Sequence, residues 1–247
     1  MKIKRIILNL YVKILKAFGY DLVYFIHVRK TGGTAIRNAF AEISSVSRDL
    51  VKADKKLFLM GYGHKLRLND LDDNEFCFFA VRDPISRFIS GFYGTLRSRE
   101  RKNLISWDPN RLKIFKIFKT PNQLAEALSS GDLDIKSKAE EAMQELLHLK
   151  SSYWDWFISP EYLIKNKFKI RAILTQENLS GDFEKFTSQR NLNVKLPKDD
   201  VKSHKTPAGY DTKISSLAIL NLKNWYEKDY QFLNILYDQK LILRKYE

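Results

Sequence analysis

The chain has 247 residues, 44% hydrophobic and 13% aromatic, which is enough for a substantial folded core and too apolar for a disordered chain. Its 43 lysines and arginines outweigh 29 acidic residues, a net charge of +14 that favours anionic partners such as nucleotides, nucleic acid, acidic glycans or anionic lipid surfaces. The one cysteine, Cys77, excludes an internal disulfide and reads as a small buried residue in a protein suited to a reducing compartment. His27, His64, His148 and His204 are scattered without close pairing, so no metal-ligand cluster is expected.

In chain order, residues 1–20 open on MKIKRIILNLYVKILKAFG, a mixture of lysines and aliphatics that reads as a basic amphipathic helix. No uninterrupted apolar stretch there is longer than Ile6–Leu8, far short of the roughly 20 residues that cross a bilayer. Asn9, Lys13 and Lys16 interrupt any signal-peptide core. The helix either packs on the domain or makes peripheral contact with a membrane surface. Residues 21–247 are expected to form a single domain.

Strand patterns fall at Val23–Val28, Leu57–Met60, Phe76–Val81 and Ile170–Gln176. Helical patterns fall near 33–46, 84–98, 121–130, 136–149, 179–190 and 213–238, the last a hairpin. Strands alternating with helices predict an α/β sandwich whose central sheet is mainly parallel and flanked by helices. Ligands of such sheets bind beyond the carboxyl ends of the strands. Arg99–Thr120 is lysine- and arginine-rich without a clean period and reads as a surface insertion. The stretch KLPKDDVKSHKTPAGYD reads as a second long loop.

Two motifs sit at strand ends. In VYFIHVRKTGGTAIRNAF (23–40) a strand runs into Arg29, Lys30, Thr31, Gly32, Gly33, Thr34 and Ala35, and then into a helix. Two glycines permit close backbone approach, the helix start turns N–H groups toward an anion, and Lys30 with the two threonines adds charge and hydroxyls. The nucleotide-triphosphatase loop differs, because here the lysine precedes the glycines and the first glycine is missing. Nor does a later strand end in an evident magnesium-holding aspartate.

In FCFFAVRDPISRFISGFY (76–93) the layout repeats. Pro84 suits the first helical turn and Asp83 can cap it. Arg82 stands at the strand end, ready for bidentate anion binding, and Ser90 faces the same way. Arg87 is expected to pair with Asp83 at i,i+4.

HVRKTGGTAI resembles the 5′-phosphosulfate loop of sulfotransferases that use 3′-phosphoadenosine 5′-phosphosulfate (PAPS). The likeness is to the carbohydrate branch that includes heparan sulfate 2-O-sulfotransferase. AVRDPISRFISGFY resembles that family's 3′-phosphate motif, an arginine followed by a serine eight positions later, here Arg82 and Ser90. Weaker likeness continues in SSYWDWF, ILTQENLSGDFEKF and NWYEKDYQFLNILY, so it runs from Tyr24 to Tyr237. Arg29 stands where the family commonly has proline.

The resemblance implies a P-loop-like three-layer fold. It also implies in-line, metal-free transfer of a sulfuryl group from PAPS to a hydroxyl of a glycan or glycolipid. Arg29 to Ala35, Arg82 and Ser90 would bind the donor, and Lys30 would be catalytic. His64, in GYGHKLRL, is the candidate general base, with a plain loop role as its alternative. His27 reads as packed core, and His148 and His204 are weaker candidates. Lys65, Arg67 and the cations of 97–102 are candidates for an anionic acceptor. The aromatic run Tyr153, Trp154, Trp156 and Phe157 reads as core, or as a stacking surface for sugars. A cytoplasmic enzyme, free or held at a membrane periphery, is expected, with no nucleic-acid partner. The competing readings are an atypical P-loop kinase and a basic nucleic-acid-binding protein.

Overall fold

The computed structural model describes residues 10, 13–15, 17–43, 50–54, 57–61, 63–101, 109–197 and 209–246. Its strands are β1 (Asp21–Ile26), β2 (Leu50–Asp54), β3 (Leu57–Gly61), β4 (Phe76–Val81) and β5 (Ile170–Thr175). They form one sheet in the order β2-β3-β1-β4-β5. β1 pairs in parallel with β3 and with β4, and β2 is antiparallel to β3. The α/β class and the mainly parallel centre are those expected.

β1 is therefore central, and the chain leaves it toward β3 before crossing back to β4. That makes the carboxyl ends of β1 and β4 the topological switch point, where open α/β sheets bind ligands. Both sequence motifs begin there. β2 had no counterpart in the strand pattern, since Lys52 and Asp54 break its apolar run as charges commonly do on edge strands.

By contacts, the chain divides into two compact units. The first comprises Met1–Val28, Gly32–Ala80 and Trp156–Ser203, and holds the sheet. Here α1 (Gly33–Ile43), α8 (Pro160–Lys165) and α9 (Leu179–Ser188) belong. β1 and β4 are buried on both faces, as near-continuous apolar runs in parallel strands require. Phe78 packs between Phe25 and Phe186, at ring centroid distances of 4.9 and 4.4 Å, in a core shared with Ile36, Phe40 and Phe183. Cys77 is wholly buried, and burial pushes its thiol up to about 12. Residues 10, 13–15 and 17 are helical, with Leu10, Ile14 and Phe18 exposed four residues apart and Leu15 buried.

The second unit comprises Arg29–Thr31, Val81–Asp155 and His204–Glu247. Its helices are α2 (Pro84–Arg101), α3 (Pro109–Ile117), α4 (Pro121–Ala127), α5 (Leu133–Glu145), α6 (Leu147–Lys150), α10 (Ser216–Trp225) and α11 (Glu227–Asp238). α7 (Trp154–Phe157) straddles the division. Part of the expected insertion is ordered helix: α3 buries Ile114 and Phe115, an apolar contact that lysines on either side hide from a periodicity count. His204 and most of the loop at 195–211 lie outside the described residues.

Pro84 and Asp83 do as expected: Asp83 Oδ1 accepts from the Ser86 N–H at 2.7 Å and starts α2. The expected Asp83–Arg87 pair does not form. Arg87 is buried and donates from Nη2 to Asp229 Oδ2 at 2.8 Å and to the Ser151 carbonyl at 2.9 Å. The other Asp229 oxygen accepts from the Tyr153 N–H at 2.6 Å and from Ser152 Oγ at 3.1 Å. The Arg87 guanidinium also lies over the Tyr153 ring, 4.5 Å from its centroid. A long-range partner thus replaced the local one, because a buried guanidinium needs a buried anion.

Replacing Asp229 with alanine strands Arg87 in the interior. Urea denaturation of Asp229→Ala is expected to show a loss of about 3–5 kcal/mol. A loss below about 1 kcal/mol would mean that the pair does not hold this unit together.

Candidate active site

In the sheet unit, β1 delivers the chain to His27, a buried residue whose ring stacks on Phe25. α1 begins directly against this imidazole. A Cβ on Gly33 would stand 2.1 Å from His27 Cδ2, so no larger residue fits without displacing the ring. Gly32 has φ +86°, and a Cβ there would stand 2.6 Å from Leu179 Cδ2 on α9. The two glycines seen in the sequence are thus required by close packing as well as by backbone conformation. Ala35 and Ile36 turn their N–H groups back to the Gly32 carbonyl, which opens the helix. The first N–H groups of α1 have no intrahelical carbonyl and carry the positive end of its dipole. Thr34 is half-buried there, and Ala35 is buried behind it.

His64 follows β3 through Gly63 and is solvent-exposed. Its ring lies on that of His27, with centroids 3.9 Å apart. Its Nδ1 is 2.8 Å from the His27 carbonyl oxygen. A carbonyl only accepts, so Nδ1 carries the proton and the basic lone pair of the neutral ring is on Nε2. Trp156 Nε1 donates to the His64 carbonyl at 3.1 Å and fixes the backbone behind the ring. Lys65 and Arg67 are exposed on the residues that follow.

In the helical unit, Arg29, Lys30 and Thr31 form the turn of the first motif. Lys30 is in the left-handed region at φ +65°, a strained place for a residue with a Cβ. Thr31 is fully buried, and Arg29 is half-buried near Asp155. Arg82, at the end of β4, donates from Nη1 to the Lys30 carbonyl at 3.4 Å, which ties the second motif to the first. Its own backbone is clamped: the Tyr153 hydroxyl accepts from the Arg82 N–H at 2.9 Å and donates to the Arg82 carbonyl at 2.6 Å. Ser90 lies buried on α2, and among the described residues no protein group bonds its hydroxyl.

Burial, followed by the charges of Arg97 and Arg82, lowers Lys30 from its ordinary value to about 8. Cations gathered at one place and partly buried make a site that an oxyanion would relieve.

The structure therefore groups Lys30, Arg82 and Ser90 in the helical unit, and Gly32, Gly33 and His64 with the sheet. Of the aromatic run, Tyr153, Trp156 and Phe157 are core, while Trp154 is half-buried with its Nε1 on the Lys228 carbonyl. Sequence reasoning missed the Tyr153 clamp and Asp229, which no local spacing connects to Arg82. It also missed Gly94, although a glycine inside a helix costs about 1 kcal/mol and so asks for a packing reason.

The chain belongs to the sulfotransferase family, whose model matches residues 19–238, nearly the whole described fold. It is accordingly an enzyme of sulfuryl transfer. No curated protein matches the chain.

The Lys30 pKa carries a signed prediction. An oxyanion prefers the ammonium form, which is lost from the ligand-free protein above about pH 8. Pyrophosphate affinity, measured by calorimetry, should hold steady up to that pH. Between about pH 7 and about pH 9 it should fall about tenfold relative to Lys30→Arg, which keeps its charge throughout. Identical profiles for the two proteins would remove Lys30 from the site.

Proposed function

We propose that the enzyme uses PAPS as its sulfuryl donor and acts on a hydroxyl of a glycan or glycolipid, as in the carbohydrate branch of the family. The observation that carries this reading is the tie between the two motifs, the Arg82 guanidinium on the Lys30 carbonyl. Two anion-binding loops at one switch point suit a nucleotide with a charged group on each side of its ribose. The residues fit such a ligand: the cations are concentrated around Lys30, and Ser90 offers a buried hydroxyl.

The donor supplies the sulfuryl group and departs as the 3′,5′-bisphosphate with the electron pair of the broken S–O bond. The rest is work for this chain. Lys30 neutralises the charge that grows on the departing 5′-phosphate. Arg82 and Ser90 hold the 3′-phosphate and so set the line of attack. His64 Nε2 takes the proton of the acceptor hydroxyl as its oxygen bonds to sulfur, while the His27 carbonyl keeps the ring in the correct tautomer. Exposure of His64 beside Lys65 and Arg67 suits a large anionic acceptor reaching it from solvent.

A thermal-shift comparison of 3′,5′-ADP with 5′-AMP, ATP–magnesium and DNA tests the donor. The expected result is stabilisation by 3′,5′-ADP above all others, weakened up to about a hundredfold in affinity by Arg82→Ala, since charge-assisted bonds contribute roughly 1.5–3 kcal/mol each. Preference for ATP–magnesium would favour a kinase, and preference for DNA a nucleic-acid binder.

The base is tested separately. His64→Ala should lose about 10²-fold or more in turnover while 3′,5′-ADP affinity is kept. A variant with most of its activity would leave proton removal to another group.

A further inference from the structure

Lys30 is held from outside its own loop. Its ammonium rests on α2 at Gly94, where an added Cβ would stand 2.4 Å from Nζ and 3.2 Å from Cε. Only the hydrogen of a glycine leaves that place open. Ser90, Gly94 and Arg97 follow one another at steps of four and three residues, which puts them in a row on one face of α2. The face thus presents a hydroxyl, a seat for the lysine and a guanidinium, one helical turn apart. Arg97 lies near enough to oppose the charge on Lys30, as Arg82 does. Cations that converge in this way repel one another, and an oxyanion set among them turns each repulsion into an attraction.

We propose that Gly94 and Arg97 belong to the nucleotide site: Gly94 seats the Lys30 ammonium, and Arg97 binds, together with Lys30, one oxyanion of the ligand, the phosphate on its 5′ side. This rests on the reading above, in which Arg82 and Ser90 take the 3′-phosphate. Arg97 is a ligand-binding residue in this account and Gly94 a positioning one.

Calorimetry with 3′,5′-ADP, 5′-AMP and 3′-AMP on wild type, Arg97→Gln and Gly94→Ala tests the inference. Arg97→Gln should weaken 3′,5′-ADP and 5′-AMP about tenfold or more and leave 3′-AMP within about twofold. Should that variant fail to fold, Arg97→Lys, which keeps the charge but not the planar fork, should show a smaller loss in the same order. Gly94→Ala should keep or raise the thermal midpoint, because alanine is the better helix former. Its turnover should nevertheless fall about tenfold, and its alkaline binding limb should move upward from about pH 8 as the ammonium leaves its desolvated seat.

An Arg97 variant that binds 5′-AMP like the wild type, or that loses all three ligands equally, overturns the role of Arg97. Wild-type turnover together with a wild-type limb in Gly94→Ala overturns the seat. A wild type that binds 3′,5′-ADP no better than 5′-AMP contradicts the donor reading, while the loss of 5′-AMP affinity still decides the role of Arg97. Binding of none of the three overturns both.

Discussion

A carboxylate taken out of water must have each oxygen met, and Asp229 is met by a guanidinium, a backbone N–H and a hydroxyl. That requirement organises the helical unit. Arg87, drawn inward to neutralise Asp229, lies over Tyr153, and Asp229 itself bonds the Tyr153 backbone. The tyrosine, fixed from two sides, has one polar atom left, and with it grips the N–H and the carbonyl of Arg82. A residue of α11, distant in sequence, therefore sets where the loop after β4 begins. Burial also raises the neighbouring phenols Tyr226 and Tyr230 well above their ordinary range.

The first loop is governed by a different constraint, space. His27 stands behind Gly33 and Leu179 behind Gly32, so the backbone passes where a side chain cannot. Lys30 accepts a left-handed conformation, and its charged end rests on a third glycine, in α2. Strain and desolvation at Lys30 both oppose folding, and both are features of sites kept for a ligand. The same His27 supplies a carbonyl and a ring surface to His64, so that packing behind the glycine loop also orients the candidate base.

Much of this was legible in the sequence wherever the cause is local. β1 and β4 show as apolar β-branched and aromatic runs, the turns as glycine and basic residues, and the α2 start as Asp83 followed by Pro84. β2 was hidden because an edge strand carries charges, and α3 because lysines flank its few buried residues. Arg87 was misread for a deeper reason. Helical spacing offers Asp83 as a partner, whereas the real one comes from the far end of the chain and is preferred because both members are buried together. The same blindness to tertiary contacts concealed the Tyr153 clamp and the glycine seat of Lys30.

The central claim is that the two loops bind the two ends of one nucleotide. Phosphorus-31 spectra of bound 3′,5′-ADP, whose two phosphates give separate resonances, test it most directly. Lys30→Ala is expected to move the bound 5′-phosphate resonance and leave the 3′ one in place, and Arg82→Ala to do the reverse. If both substitutions move the same resonance, the two loops share a single anion, and the two-ended site is wrong.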